Sequence, residues 1–443
     1  MRTESDKHGG RTRMVQTWAA VGAAALLLLF RTYVGAQINF SHEDYDQVYL
    51  MGLQNALTDA WSYWGPDVVW SRTRLPGALQ GLLVGVPLWL TRRPYAPLVL
   101  TNLITCAGLM LLAFYAARRF PRLSLPFLVA LVLLLPFGLF NGAVVLNTAY
   151  LLFSGSILFV AVLELFVYRE RPLFDPRLSW AALGFALVFT CQLHLTWVMC
   201  LPFVVVLLGL EWQRRAAAVP TYAAYFLLGW VPPLLTLLPT ILTYGDVMMV
   251  GTSGNLRYDG GRVLGVFDLL FRYFSMASVD LTHRHNFVRL LTENHAGGAV
   301  LVWVLKGLFV AQVIALAATL LFAKRSEAFK RTLLLFGLTT LMALFLYVLS
   351  NKHLSMRTYI LLFPVPVWLT LFAYDHLLRY RAARVAVAAL LLLSFGTTLA
   401  IAAANHHGPY SFAAAEGRIE RALRTGDPQA FGERRKTLMD AYD

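Results

Sequence analysis

The sequence predicts an all-α polytopic membrane protein. Of its 443 residues 58% are hydrophobic, and its mean hydropathy is +0.60, above the range of a soluble domain. Apolar runs of about 20 residues, the length of one membrane-spanning helix, recur along the whole chain. Basic residues stand in short clusters between these runs, as they do in oriented membrane proteins, so the formal net charge of +14 does not predict nucleic-acid binding.

The first apolar run follows a basic segment that ends at Arg13 and is expected to stay in the cytoplasm. It has no small-residue cleavage site, so we expect it to remain as a signal anchor. The next apolar piece, Ala78 to Leu90, is too short, since thirteen helical residues rise about 20 Å against a hydrocarbon core of about 30 Å. An interfacial helix here, within a first outer loop at 39–95, places every later basic cluster inside.

The remaining runs alternate regularly and give about 11 transmembrane helices, with the N-terminus inside and the C-terminus outside. They are predicted at about 15–38, 96–116, 123–139, 148–168, 178–195, 197–211, 221–242, 299–323, 332–350, 360–375 and 385–403. A long outer loop, 244–298, has a length that is usually functional. We therefore expect one transmembrane domain at 1–403 and a short amphipathic extracytoplasmic tail at 404–443.

A dense group of acids stands in the first outer loop, where Glu43, Asp44 and Asp46 follow His42. Carboxylates are costly at a membrane boundary and indicate a functional site there. Solvated loop charges are the alternative interpretation, and Asp46 in particular suits the N-cap of a following helix.

Polar residues from distant parts of the chain are predicted to face the same outer side. Gln192 and His194 end helix 5, Asn147 lies in an outer turn, and Lys352, His353 and Arg357 precede helix 10. Together they predict one cavity at the outer interface, with carboxylates on one wall and cations on another. The alternatives are a hydrogen-bonded packing histidine, a capping asparagine and cations that extend to the interface.

This combination of side chains fits group transfer from a lipid phosphate. A carboxylate can deprotonate an acceptor hydroxyl or amine, or hold a divalent metal, which is the one cofactor left open. Lys and Arg can bind a phosphate and stabilise the charge that a leaving phosphate develops. The histidines around His283 and His295 could ligate a metal, but Arg284 would repel it, so loop decoration is the preferred interpretation.

Several short motifs carry a family resemblance. Asp46-Gln47-Val48-Tyr49-Leu50, Gly65-Pro66 and Pro76-Gly77 resemble the first outer loop of the GT-C superfamily of polytopic glycosyltransferases. The closer similarity is to its bacterial branch related to protein mannosyltransferases and aminoarabinose transferases. Gln192-Leu193-His194 and the stretch from Lys352-His353 through Arg357-Thr358-Tyr359 to Pro364 resemble recurring positions of that branch.

The resemblance implies a GT-C-like fold and an inverting transfer of a sugar from a polyprenyl-phosphate donor outside a bacterial inner or plasma membrane. It also implies that Asp46 is the counterpart of the catalytic acid, with Tyr49 beside it at the cavity wall. The family usually has Asp-Glu here, whereas Gln47 follows Asp46, so the identity of the base among Glu43, Asp44 and Asp46, and any metal, stay open.

Two other functions compete with a glycosyltransferase. A transporter or flippase of a lipid-linked saccharide would place ionisable groups near the middle of broken helices, often in repeated halves, and no such repeat is visible. A non-catalytic scaffold gives no reason for acids and cations to share one face. The acceptor could be a glycan, a lipid or a protein, and membrane lipids surround the chain. The aromatic group Trp61, Tyr63, Trp64 and Trp70 could stack on a sugar or form an interfacial belt.

Overall fold

The computed structural model of the chain consists almost entirely of helices. It describes residues 4–39, 44–58, 60–68, 73–245, 265–280, 298–322, 325–349, 356–406, 408 and 411–431. The helices are Glu4–Ile38 (α1), Asp44–Leu57 (α2), Leu79–Thr91 (α3), Ala96–Arg119 (α4), Leu125–Leu134 (α5), Pro136–Gly142 (α6), Leu151–Val162 (α7), Pro176–Cys191 (α8), Leu201–Arg215 (α9), Val219–Tyr244 (α10), Val266–Ser275 (α11), Gly298–Phe322 (α12), Glu327–Leu349 (α13), Pro364–Leu377 (α14), Arg381–Ala404 (α15) and Ala413–Thr425 (α16). Two strands, Trp64–Val68 (β1) and Thr73–Pro76 (β2), pair antiparallel, and 3₁₀ segments at Leu195–Cys200 and Met356–Leu362 precede α9 and α14.

The predicted membrane class is confirmed by the lengths of these helices. Within the described residues six stretches are long and apolar enough to cross a membrane, or seven if the bent pair α5–α6 is one span. The sequence predicted about eleven. The difference arises because α7 and α8 are short, α9 and α10 count as one continuous stretch, and α14 has only 14 residues.

A buried arginine holds the bend between α5 and α6, where the two axes differ by 58°. Pro136 begins α6 and cannot donate a backbone hydrogen bond, so the helix breaks before it. Arg31 on α1 is fully buried and donates to the carbonyls of Leu133, at 3.1 Å, and Gly138, at 3.2 Å. The guanidinium thus supplies donors on both sides of the break, where the regular helix ladder is interrupted.

A buried carboxylate joins several segments at one end of the helix bundle, which we name the Glu164 end. Glu164 lies in a π-helical segment, Leu163–Val167, that continues α7. It accepts hydrogen bonds from the Tyr115 hydroxyl at 2.5 Å, the Arg119 guanidinium, and the amides of Leu173 and Phe174 at 2.6 and 3.0 Å. Four donors on one carboxylate fix the loop between α7 and α8 to the end of α4.

The opposite end of the bundle, which we name the Asp46 end, gathers the first loop and the C-terminal segment. The Asn39 side chain, after α1, accepts a hydrogen bond from the Val145 amide at 2.7 Å. The Asn405 side chain, after α15, donates to the Gln37 carbonyl. The chain therefore returns to this end after α1, after α6 and after α15, as the predicted alternation requires.

The first loop contains a β-hairpin that the sequence analysis did not predict. Helices α2 and α3 lie there, as expected, with β1 and β2 between them, and the rest of the described chain keeps the predicted all-α class. Pro66 and Pro76 oppose a continuous helix, and Gly77 leaves the hairpin with φ of +93°, a value that favours glycine. The hairpin rests on α10, because the Tyr63 carbonyl before β1 accepts a hydrogen bond from the Thr240 hydroxyl at 2.5 Å. The same carbonyl accepts the Gly77 amide hydrogen at 3.0 Å, which closes the base of the hairpin.

Helices α8 and α10 approach each other closely enough for their backbones to touch. A Cβ atom built on Gly184 would lie 1.9 Å from the Phe226 carbonyl oxygen, and one on Gly229 would lie 1.9 Å from the Ala181 carbonyl oxygen. Small residues permit such close packing in membrane helices. This contact fixes the end of α8, and with it the position of Gln192 and His194.

Candidate functional site

The Asp46 end carries all the predicted site residues that the structure describes with side chains: Asp46, Tyr49, Asn147, Gln192, His194 and Arg357. Asp46 and Tyr49 face the C-terminal segment, and His194 lies close enough to Arg357 for the two groups to interact electrostatically. That all of them line one cavity stays a prediction. Glu43, Lys352 and His353 lie outside the described residues, and Asp44 begins α2 with its side chain outside the described part.

Asp46 is engaged by an arginine that the sequence analysis did not single out. The two terminal nitrogens of Arg418 on α16 donate to its two carboxylate oxygens, at 3.2 and 3.0 Å. Both side chains are about 20% exposed, at 20% for Asp46 and 21% for Arg418. The guanidinium also stacks over the Phe431 ring at 4.6 Å from its centroid. A bidentate pair of this kind is strong and directional, so it holds α16 against α2.

Tyr49 belongs to the apolar contact beneath that ion pair. Its side chain is fully buried, and its ring packs against Phe412 and Phe431, with centroids 6.1 and 6.4 Å away. Helix α16 adds Ile419 from its own buried face. The C-terminal segment thus covers this face of α2, and a role of Tyr49 at a cavity wall stays a prediction.

Gln192 joins three elements at the end of α8. Its amide nitrogen donates to the Pro233 carbonyl at 2.7 Å, and its amide oxygen accepts from the Thr236 hydroxyl at 2.8 Å. Its side chain also fills the space beside Gly77, where a Cβ would lie 2.2 Å from the amide oxygen. Gln192 is fully buried with both ends of its amide satisfied, so it positions the hairpin and α10 and is closed to a ligand.

Asn147 and His194 shape the turn that follows Gln192. The Asn147 side chain donates to the Leu193 carbonyl at 2.8 Å. The His194 ring caps the 3₁₀ segment, because its Nδ1 accepts the Thr196 amide hydrogen at 3.2 Å. Burial, and to a smaller extent the positive charge of Arg357, lowers the pKa of His194 to about 4.

The lowered pKa and the hydrogen bond from the Thr196 amide together indicate which nitrogen of the His194 ring carries the proton. The ring is neutral at pH 7, and Nδ1 acts as the acceptor, so Nε2 carries the hydrogen. The two 3₁₀ segments contact each other, which brings Arg357 to the same place. A neutral N–H donor and a cation lie side by side at a partly exposed point, an arrangement suited to phosphate oxygens.

An open apolar groove of about 450 Å³ lies between α7, α9 and α13. Its lining is wholly apolar and includes Val198, Pro202, Phe203, Val206, Leu338 and Phe345. Val198 lies four residues after His194, about 8 Å along a 3₁₀ segment. The groove therefore has room only for apolar chains, and His194 stands in the sequence just before its lining residue Val198.

A metal site does not follow from the described side chains. Within them no group of three or more His, Cys, Asp or Glu residues is close enough to hold an ion. The predicted carboxylates Glu43 and Asp44, and the histidines of 281–297, lie outside that set, so a divalent metal stays a prediction.

Sequence analysis missed Arg418 and Arg31. Arg418 lies in a segment with charges of both signs, where one arginine does not differ from its neighbours, and its partner is 372 residues away. Arg31 had a clearer signal, since it is a single cation within a long apolar run.

No protein-family model, no curated protein and no solved structure matches the chain.

Proposed function

We propose that the chain is a membrane glycosyltransferase that moves a sugar from a polyprenyl-phosphate donor to an acceptor of the cell envelope. The observation that carries this proposal is the apolar groove lined by Val198, which follows His194, the neighbour of Arg357, by four residues. An isoprenoid chain needs a long apolar surface, and its phosphate needs cationic and N–H donors at one end of that surface. A membrane lipid could fill the groove alone, but the donor pair of His194 and Arg357 suits a phosphate head.

The chemical step follows from this placement. A carboxylate of the acidic group takes the proton of an acceptor hydroxyl as the oxygen attacks the anomeric carbon of the donor sugar. The bond from that carbon to the phosphate oxygen breaks, and the electron pair leaves with the phosphate. Attack from the face opposite the leaving group inverts the anomeric configuration. Arg357 and the Nε2–H of His194 stabilise the charge on the departing polyprenyl phosphate.

Three carboxylates compete for the role of base in this proposal. Asp46 has both oxygens bound by Arg418, so it would act only after exchanging that partner for an acceptor hydroxyl. Asp44 is three residues before Gln47, a spacing that places the two positions on one face of α2. Glu43 precedes the helix.

The GT-C-like fold, the eleven spans and an extracytoplasmic site belong to the same proposal. Their support is that the helices that would form these spans alternate in direction between the two ends of the bundle. These helices are α1, α4, α5–α6, α7, α8, α9, α10, α12, α13, α14 and α15.

The test is turnover of a panel of polyprenyl-phosphate sugars by the purified protein. We expect release of polyprenyl phosphate from one donor, lost in Arg357→Gln. If Asp46 is the base, Asp46→Asn abolishes turnover while Arg418→Gln, which breaks the same ion pair, keeps it. Equal, small effects of these two variants would move the role to Asp44 or Glu43, to be tested as Asp44→Asn and Glu43→Gln.

A matched pair of groove variants tests the lipid site separately. Val206 and Val205 are neighbours on α9, 46% and 69% exposed, but only Val206 lines the groove. We expect Val206→Trp to raise KM for a long-chain donor about tenfold or more, with Val205→Trp unchanged. If no donor reacts, and labelled lipid-linked saccharide crosses vesicles instead, the transferase proposal is wrong.

A further inference from the structure

A second cavity opens at the Asp46 end, and its lining differs from that of the groove. It has a volume of about 300 Å³ and lies between α2, the β-hairpin and the end of α10. Gln47 and Gln54 enter it from α2, and Ser62 and Arg74 enter it from the hairpin. These side chains offer hydroxyl, amide and guanidinium groups, that is, both donors and acceptors. We name it the Gln47 pocket.

Aromatic rings form the rest of the wall. Tyr63 and Trp64 pack against Tyr244 at the end of α10, with ring centroids 5.5 and 5.3 Å from it. Trp61 is 40% exposed and Tyr244 52% exposed, so their faces are partly open to a ligand. An aromatic face attracts the slightly positive C–H groups on one side of a sugar ring, while amides and guanidinium groups bind its hydroxyls.

The polarity of the Gln47 pocket does not suit a polyprenyl chain, and its volume suits a small polar ligand. A polyprenyl chain would offer no hydrogen bonds to the side-chain amides of Gln47 and Gln54, which costs free energy, and it has the apolar groove instead. A volume of about 300 Å³ is at the lower limit for small-molecule sites and suits one compact polar unit.

The wall of the pocket connects it to the proposed leaving-group site. Gly65 of β1 lines the pocket, and a Cβ built on it would lie 3.4 Å from the Gln192 backbone oxygen. Gln192 is two residues before His194 in the sequence, so β1 packs against the segment that carries the proposed phosphate-binding histidine. A ligand in the pocket would lie beside α2, which carries the acidic group at its start.

A buried amide lies behind this wall without a described partner. Both side-chain polar atoms of Asn55 are buried and have no hydrogen bond within the described part of the chain. The Asn55 amide nitrogen and Ser62 both adjoin Gly81, with atoms 2.4 and 3.2 Å from a Cβ built there. Ser62 lines the pocket, so polar groups continue from its wall into the protein.

We propose that the Gln47 pocket binds a saccharide unit of the acceptor. This assignment rests on the proposed glycosyltransferase function, in which the donor occupies the groove and the His194–Arg357 pair. The acceptor sugar would stack on Trp61 and bind Gln47, Gln54 and Arg74 through its hydroxyls. Its free hydroxyl would then point to the start of α2.

The experiment measures binding of simple sugars to the full chain in nanodiscs. The probes are methyl hexopyranosides and methyl hexuronides, followed by saturation-transfer NMR, without any lipid donor. We expect one or more probes to bind, and Trp61→Ala and Gln54→Ala each to weaken that binding about tenfold. Trp212→Ala is the matched control, because Trp212 is 64% exposed on α9 and remote from the pocket. Thermal unfolding of each variant confirms that it folds.

Absence of binding, or equal binding by Trp61→Ala and Trp212→Ala, would overturn the saccharide site. A second arm separates acceptor from donor. Trp61→Ala should lower the rate of transfer to an acceptor more than the rate of donor hydrolysis without acceptor, and an equal loss of both rates would refute the acceptor assignment. If the probes bind as expected but no lipid-linked donor reacts, the proposed transferase function is wrong, whereas the saccharide site is still supported.

Discussion

Adding one methyl group at Gly184 should separate α8 from α10. A Cβ there would lie 1.9 Å from the Phe226 carbonyl oxygen, whereas ordinary contact needs about 3.4 Å. The obstacle is backbone and cannot rotate away, so the helices would have to move apart by about 1.5 Å or distort. Overpacking of this kind costs about 1–3 kcal/mol and occasionally more, against a gain of about 1 kcal/mol in helix propensity. Because this contact is with backbone, we expect the upper end of the net range, so Gly184→Ala should lower the free energy of unfolding by about 2 kcal/mol.

The assay is denaturant unfolding of the protein in detergent, with helix content as the signal. Gly229→Ala should behave like Gly184→Ala, because its Cβ would lie 1.9 Å from the Ala181 carbonyl oxygen. Gly209→Ala on α9 is the control, since nothing lies within 4 Å of a Cβ at that position. The helices do not pack as described if Gly184→Ala and Gly209→Ala have the same midpoint.

Three further predictions concern charged groups. The pKa of His194 is about 4 in the folded chain and about 6.5 when unfolded, so the unfolded state binds more protons between these values. The free energy of unfolding should therefore fall by up to about 3 kcal/mol as pH drops from 6.5 to 4. Unfolding titrations of His194→Gln should lack this loss. An equal loss in the variant and the original protein would contradict the assigned pKa. Arg418→Gln and Asp46→Asn should each lower the free energy of unfolding by about 1–2 kcal/mol. The double variant should lose no more than about 2 kcal/mol, because both changes remove one shared ion pair. Additive losses in a double-mutant cycle of unfolding would contradict that pairing. Glu164→Gln should lower the free energy of unfolding by about 3–5 kcal/mol, because it leaves Arg119 without its buried charge partner. Glu327→Gln, at an exposed pair, should leave the unfolding midpoint unchanged. Equal midpoints for the two variants would contradict the described network.

Much of the fold follows from apolar periodicity alone. The second predicted helix, 96–116, corresponds to Ala96–Arg119, and the short piece at 78–90 corresponds to Leu79–Thr91. Both predictions depend only on local composition and on proline and glycine positions. Orientation in the membrane stays a prediction, since it depends on a bilayer that the chain alone does not define.

The parts that sequence analysis missed depend on contacts between distant residues. The hairpin forms where β1 and β2 meet α10, and no alternation in its short strands indicates it. Arg418 reaches Asp46 only because α16 folds back over α2. The proximity of His194 and Arg357 was expected from the side each would face, but the groove beside them comes from three helices whose apolar surfaces look alike in sequence.

The central claim is that the groove holds the chain of a lipid whose phosphate meets His194 and Arg357. Photo-crosslinking with a benzophenone-bearing polyprenyl phosphate, followed by peptide mapping, tests it most directly. The account predicts labels on groove residues such as Val206, Leu338 and Phe345, suppressed by excess polyprenyl phosphate but not by polyprenol. Labels spread evenly over lipid-facing residues such as Trp303 on α12, or equal suppression by polyprenol, would contradict it.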